Sequence, residues 1–390
     1  MTTGFSEVVV LGGGVIGLSI ARELARRGLK TTLIDRGRID AEPAGGAATL
    51  ASLGVLTAPT SGRSPFQRLQ SWGHRTYPEL ARELLAETGI DIGYRVRGSL
   101  HLKPELPHAA TRTKVERLYR EAGLEARWVG GADLEAFAPG LLGRAGSCFP
   151  AALHISSEAV VHPPSLARAL RASCERLGVK LLELAGEARL SGGSEEHIEL
   201  AGGGRVSGGG IVLAAGSWSR LASLTNGFAG IPVRPVRGQA IEVSFEWPDC
   251  PNLRYDHPVL RREYHIVSKG NGLAWIGSTV EDAGFDCQVT PAGVTELVTA
   301  ARQVLPGLRE EDVLRSWAGL RPQALRPGGP FLGRLPGARN VWVASGHYRS
   351  GILTGPVSAK LLVRQMLGED LDARESGLDE QALLAFRVER

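Results

Sequence analysis

Cysteine is scarce in this chain of 390 residues: there are four, Cys148, Cys174, Cys250 and Cys287, far apart and with no C-x-x-C pair among them. That leaves neither a disulfide framework nor a zinc-site spacing, and a reducing compartment is the expectation. Long hydrophobic runs are missing too. None reaches the roughly 18 residues that a spanning helix needs, so any membrane association would have to be peripheral. The first residues run almost directly into an apolar strand, leaving no room for a charged segment, an apolar core and a cleavage site, so no secretion signal is expected and the chain reads as cytoplasmic. The formal charge of +4 comes from arginines spread along stretches such as 21–28, with no compact basic run beside aromatics, and nucleic acid is not an expected partner.

What the chain has is bulk and glycine. With 43% hydrophobic and 22% charged residues it can build two domains with buried cores, and a disordered or fibrous protein is a poor reading. Its 51 glycines have no collagen period and gather at sharp turns between apolar runs. Residues 7–11 read as a buried parallel strand, 15–28 as an amphipathic helix and 31–35 as a second strand, a βαβ unit that opens a doubly wound sheet. A small-residue connection over 44–56 follows, then helices at 65–72 and 77–88 expected to pack near a cofactor. Residues 92–150 look like an insertion of mixed pattern, with a strand at 98–102 and helices at 109–122 and 131–137. A helix at 163–177 and strands at 180–184 and 211–215 bring the chain back to the first unit. Strands at 239–245, 264–268 and 273–278, with a tight turn at 269–272, predict an antiparallel sheet. A helix at 290–305 and strands at 313–319 and 341–345 follow, and the last of these strands, with a helix at 353–367, rejoins the nucleotide unit.

Gly12, Gly14 and Gly17 form G-x-G-x-x-G between the first strand and helix. The first two let the chain turn and approach a pyrophosphate, the third lets helix and strand pack closely, and the helix N-terminus offers N–H groups to phosphates. Asp35 closes the second strand 18 residues after Gly17, where its carboxylate can accept bonds from a ribose. This fingerprint does not separate FAD from NAD. The rest of the chain does: it breaks off into Gly45, Gly46, Ala47, Ala48 and Thr49 and regains the sheet only after long insertions, a segmented layout that suits a flavoprotein.

Over nearly its whole length the chain resembles the family of D-amino-acid oxidase, sarcosine oxidase and glycine oxidase, glycine oxidase above all. The resemblance rests on VVVLGGGVIGLSIARELARRG, the small-residue stretch ending Gly54, Val55 and Leu56, IVLAAGSWS, PVRPVRGQ, WAGLRPQALRPGGPFLG and GHYRSGILTGP, in this order. It implies a Rossmann-type FAD-binding domain over 1–90, 145–230 and 320–390, and a second, antiparallel-sheet α+β substrate domain over 91–144 and 231–319. FAD, held without a covalent link, would meet Gly12, Gly14, Val15, Ile16, Gly17, Asp35 and Arg36 at its ADP half, and Ala48, Thr49, Gly54, Val55 and Leu56 towards the flavin. The backbone of Val179 would meet the adenine. Ala215, Gly216, Trp218 and Gly238 would lie beside the cofactor, and Ser350, Gly351, Ile352 and Leu353 would open a helix facing the flavin's O2 edge, where negative charge develops on reduction.

The resemblance also implies a cation for the substrate's carboxylate. Arg321 in AGLRP matches that position, and a guanidinium fork binds a carboxylate in two parallel bonds. Arg349 in GHYRSGIL is the second candidate. Where the family usually has a tyrosine on the strand above the flavin, this chain has His265, with Tyr264 just before it. Alternate strand residues face opposite sides, so Tyr264 replaces the missing hydroxyl only with a register shift. The activity implied is FAD-dependent oxidation of glycine or an N-substituted glycine to glyoxylate, an amine and hydrogen peroxide, with dioxygen as acceptor and no metal. A biosynthetic variant that removes a carboxymethyl group from a larger amino acid is held open, as are a dehydrogenase with a quinone or protein acceptor, a flavin-binding subunit of a complex, and a homo-oligomer.

Overall fold

The computed structural model describes residues 7–39, 46–57, 59, 63–138, 149–191, 196–221, 230–244 and 250–388; Gly45 and Cys148, singled out above, lie outside them. Two large sheets organise these residues. The smaller has six strands in the order Phe331–Arg334, Val341–Ser345, Gly210–Leu213, Val8–Leu11, Thr31–Ile34 and Lys180–Leu182, all parallel except for the antiparallel pairing of its first two. Its central strands are VVVL, TTLI and GIVL, buried throughout, because helices cover one face and a second core that includes Leu190 and Ile198 covers the other. The helices Val15–Arg26, Pro65–Thr88, Pro163–Arg176 and Gly351–Leu367 pack into one core that includes Leu18, Leu84, Leu170 and Leu362. Residues 65–88, expected as two helices, form a single one, started by a Ser64/Gln67 capping box and continuing through Pro78.

The larger sheet has eight strands, in the order Val313–Ala324, Val233–Ser244, Leu273–Gly277, Arg262–Gly270, Asn252–His257, Ser99–Lys103, Ala151–Ile155 and Ala126–Gly130. The antiparallel pairing expected around 239–278 is present, and one parallel pairing, of Asn252–His257 with Ser99–Lys103, joins it to the remaining strands. Ala151–Ile155 hydrogen-bonds within this sheet, on the far side of the boundary expected at 145, and Val313–Ala324 runs through the boundary expected at 319. The helix Pro291–Ala301 packs against one face of the sheet, sealing a core of Leu297, Ile266, Tyr255 and Tyr264. The long strands Val233–Ser244 and Val313–Ala324 carry the opposite face towards the smaller sheet: Ser217 Oγ donates to the Leu320 carbonyl at 2.9 Å, and Leu320 N–H donates to the Gly46 carbonyl at 3.0 Å.

Candidate active site

Between the sheets runs a cavity of about 670 Å³, lined at one end by Asp35, Arg36 and Arg189 and at the other by His265, Arg321 and Arg349. Along it lie Gly12, Gly14, Val15, Ile16, Ala48, Thr49, Val55, Ala215, Gly216, Trp218, Gly238, Ser350, Gly351 and Ile352, so most residues expected at a cofactor are brought to one place.

The nucleotide end follows from the turn after Val8–Leu11. Gly12 has φ +112°, and a Cβ there would stand 2.4 Å from the Ala214 carbonyl oxygen. Gly17 does not line the cavity; a Cβ on it would stand 1.8 Å from the Gly12 carbonyl oxygen, so its part is to let helix and strand touch. The helix that starts after Gly14 has no cap from that residue, and its Val15 N–H donates to Thr49 Oγ1 at 2.9 Å. The Asp35 carboxylate accepts from Gly13 N–H at 2.6 Å and Gly37 N–H at 2.8 Å, which fixes it while leaving lone pairs for a ribose. The Arg36 guanidinium lies 3.6 Å from the centre of the Trp218 ring.

Four other expected cofactor residues lie elsewhere. Leu56 follows Val55 on a strand, so its side chain turns to the opposite side and is fully buried in the helical core. Gly54 is glycine because a Cβ would stand 2.1 Å from the Val161 carbonyl oxygen, a contact between chain segments. Val179 closes the helix Pro163–Arg176, its N–H donating to the Cys174 carbonyl, and its side chain is core; the cavity beside Asp35 is lined instead by residues 186–190. Leu353, one helical step beyond Ile352, points into the same core. The segment 186–190 carries no motif, and only the backbone bonds from Leu184 and Ala185 to the carbonyls of Gly37 and Asp35 explain its place.

The last helix, Gly351–Leu367, also starts without a side-chain cap, and Ser350 and Gly351 face the cavity. Beside them His347 is buried, its Nε2 hydrogen-bonded to Ser358 Oγ at 3.1 Å, and its Nδ1 has no partner. Burial brings its pKa down to about 3, so the ring is neutral.

At the other end Arg321 Nη2 donates to Ser278 Oγ at 2.6 Å, and Nη1 donates to the Thr279 carbonyl at 3.1 Å and the Arg237 carbonyl at 3.4 Å. All three acceptors are neutral, and no carboxylate among the described residues comes within ion-pair distance. The acidic groups nearby go to a different arginine: Arg237 pairs with Glu281 at 2.6 Å and with Asp286 at 2.7 Å. Burial first, then the charge of Arg349, brings the Arg321 pKa down to about 10, the mark of a cation without a counter-ion. Its guanidinium lies on Gly238, where a Cβ would stand 1.9 Å from Nη2.

The strand pair Asn252–His257 and Arg262–Gly270 supplies the remaining charges. Arg254 stands opposite His265, with Glu263 two residues along on the same face, and all three line the cavity. Glu263 pairs with Arg254, and accepts from Arg349 Nη2 at 3.2 Å and from His265 Nε2 at 3.3 Å. Burial alone would raise the Glu263 pKa; the bond from His265 and the charges of Arg254 and Arg349 outweigh it and hold the carboxyl well below its usual range. Burial lowers the His265 pKa, against the bond and charge of Glu263. Tyr264 is not part of this site. It faces Tyr255 across the opposite side of the pair, ring centres 6.1 Å apart, and its hydroxyl donates to Glu296 Oε1 at 2.7 Å. Strand alternation without a register shift is the reason. Arg254 and Glu263 were not expected; the alternation that links Glu263 to His265 is the signal that points to the latter.

These features fit FAD. Two helix N-termini open onto one cavity, a fixed carboxylate waits at its ribose end, and an unpartnered imidazole nitrogen beside the last helix suits the polar edge of a ring system. Among the described residues no group of three His, Cys, Asp or Glu side chains could hold a metal, and no helix is long and apolar enough to cross a membrane. The comparisons agree with the cavity. The family model DAO, FAD dependent oxidoreductase, matches residues 7–365. Glycine oxidase of Pseudomonas aeruginosa is 33% identical over 370 residues, 93% of this chain and 95% of that protein. The bifunctional protein ThiO/ThiG of Trichormus variabilis is 32% identical over 361 residues, 91% of this chain and 52% of that protein. The crystal structure of glycine oxidase from Geobacillus kaustophilus superposes with a TM-score of 0.80 at 28% identity, over 96% of this chain and 98% of that one.

Proposed function

The chain belongs to the DAO family of FAD-dependent oxidoreductases and oxidises amines or amino acids with FAD, and from that premise we propose that its substrate is glycine or an N-substituted glycine. The observation that carries this reading is Arg321, a cation in the cavity with only neutral partners. A substrate carboxylate completes it with two parallel charge-assisted bonds, which also set the angle of the α-carbon. Ser278 and Thr279 hold the guanidinium from one side and Gly238 supports it from beneath, so the anchor keeps its position while the substrate arrives. FAD, bound without a covalent link, supplies the hydride acceptor. The N-terminus of Gly351–Leu367 stabilises the negative charge that follows. The imine then takes up water and releases glyoxylate with ammonia or the freed amine, and dioxygen is reduced to hydrogen peroxide. In this reading the smaller sheet carries the cofactor and the larger one the substrate.

The test is spectroscopic. The purified protein is expected to be yellow, and anaerobic glycine, sarcosine or another N-substituted glycine to bleach the flavin band near ~450 nm. Readmitted air restores the band with formation of peroxide. A colourless protein that takes up no FAD refutes the reading, bleaching without peroxide transfers it to a dehydrogenase, and yellow colour retained in an acid-precipitated pellet refutes the non-covalent link.

A further inference from the structure

The substrate end of the cavity holds more positive charge than one carboxylate answers. Three guanidinium groups, of Arg321, Arg254 and Arg349, line it together with a single carboxylate, Glu263, and His265. A monocarboxylate on Arg321 leaves the Arg254, Glu263 and Arg349 group with one positive charge in excess, the charge that a second carboxylate would answer. Glu263 does not use these arginines up. Arg349 gives it Nη2 alone and Arg254 gives it Nε and Nη2, whereas each guanidinium has five N–H donors. The two side chains are 39% and 32% exposed, at a wall of the cavity. Their placement is rigid as well: Arg254 and Glu263 stand on paired strands whose other face packs Tyr255 and Tyr264 into the core.

We infer that Arg254 and Arg349 form a second anion subsite, and that the substrates are secondary amines with two carboxylates, one beside the carbon that is oxidised and held by Arg321, the other on the nitrogen substituent and held by this pair. The inference rests on the oxidase reading above and narrows it. Glu263 bonds both cations and leaves each of them further N–H donors for an arriving carboxylate. The bond changes are those of the parent reaction. The α-carbon loses its C–H bond and the nitrogen its N–H as C=N forms, and two electrons pass to FAD and on to dioxygen. Water adds to the imine and the C–N bond breaks, leaving glyoxylate and a primary amino acid that keeps the second carboxylate.

The experiment compares, on the holoenzyme, kcat/KM for iminodiacetate and for its monoamide, N-(carbamoylmethyl)glycine, which has the same size without the second charge. The dianion is expected to be favoured by about tenfold or more, the scale of one charge-assisted hydrogen bond. In Arg254→Gln and Arg349→Gln the ratio falls towards one. A parent enzyme that handles the two substrates equally, or a preference that survives both substitutions, overturns the subsite while leaving the oxidase reading intact. If neither amine is oxidised while glycine or sarcosine bleaches the flavin, the subsite is overturned and the oxidase reading stands; if none of these amines bleaches it, the oxidase reading fails and binding decides the subsite separately. Thiodiacetate and its monoamide cannot form an imine, and their dissociation constants are read from the flavin spectrum. Tighter binding of thiodiacetate by about tenfold, lost in Arg254→Gln, supports the subsite, and equal binding overturns it.

Discussion

Gly238→Ala tests whether Arg321 is held where it is by the absence of a side chain beneath it. A methyl group at this position would stand 1.9 Å from Nη2, 2.2 Å from Cζ and 2.3 Å from Nη1 of Arg321. Atoms that are not bonded rest at about 3.5 Å, so the guanidinium must move by roughly 1.5 Å. The strand need not move, because all three obstructing atoms belong to the end of a flexible side chain and Gly238 keeps its pairing with Gly319. A shift of this size breaks the 2.6 Å bond to Ser278 and the 3.1 Å bond to the Thr279 carbonyl. Misplacing a substrate anchor by about 1 Å costs on the order of 100-fold, so kcat/KM for the preferred amino acid falls by roughly that factor, or about 2.7 kcal/mol. Peroxide formation measures the fall, and FAD content and thermal melting, both expected to stay near the parent's, show that the fold survives. An activity within about threefold of the parent refutes the role of Gly238 as the seat of Arg321.

Asp35→Ala removes the carboxylate that Gly13 and Gly37 hold in place, and FAD affinity, read by reconstitution of the apoprotein, is expected to drop by at least about tenfold. Tyr264→Phe loses the bond to Glu296 at a buried site and lowers stability to urea by about 1–3 kcal/mol, with kcat/KM unchanged; a large loss of activity would return Tyr264 to the active site. Arg22 is buried and ion-paired to Glu83 at 2.8 Å and Glu87 at 2.6 Å. Burial raises the pKa of both carboxylates, but the bonds and charge of Arg22 outweigh it and leave them below the usual 4.5. A depressed carboxylate stabilises the fold above its unfolded value and ceases to as pH falls through the folded one. The melting temperature is therefore expected to fall below pH 4.5, and Arg22→Met, about 3 kcal/mol less stable at neutral pH, should lose less over that range; parallel acid profiles would refute the pairing.

The nucleotide end was legible because its chemistry is local: a glycine turn, the strand before it, the helix after it and an acid at a fixed distance all lie within residues 8–35. Arg321 and Arg349 became legible only through resemblance, since nothing in their own spacing tells a substrate anchor from a surface arginine. Arg254 stayed hidden because its relation to His265 is made by strand pairing, and the strand Asn252–His257 has too mixed a sequence to announce itself. Val179 and Leu353 failed for a different reason: each lies within a few residues of the cavity wall, yet a helix end and a helical step of about 100° turn them into the core. Proximity along the chain fixes a neighbourhood, and burial decides which members of it meet a ligand.

The strand order of the smaller sheet sets a timetable for the newborn chain. Val8–Leu11 lies between Thr31–Ile34, which follows it at once, and Gly210–Leu213, which in turn needs Val341–Ser345 as its outer neighbour. At about 5–20 residues per second the ribosome takes on the order of 20–70 seconds to deliver that last strand after the first. Until Gly210–Leu213 arrives one edge of the first strand is unpaired, and the helix Gly351–Leu367 that lines the cavity is made later still. The cavity between the sheets is therefore complete only once residues 351–367 have folded, and a cofactor that needs both helix N-termini can be held only from that point on.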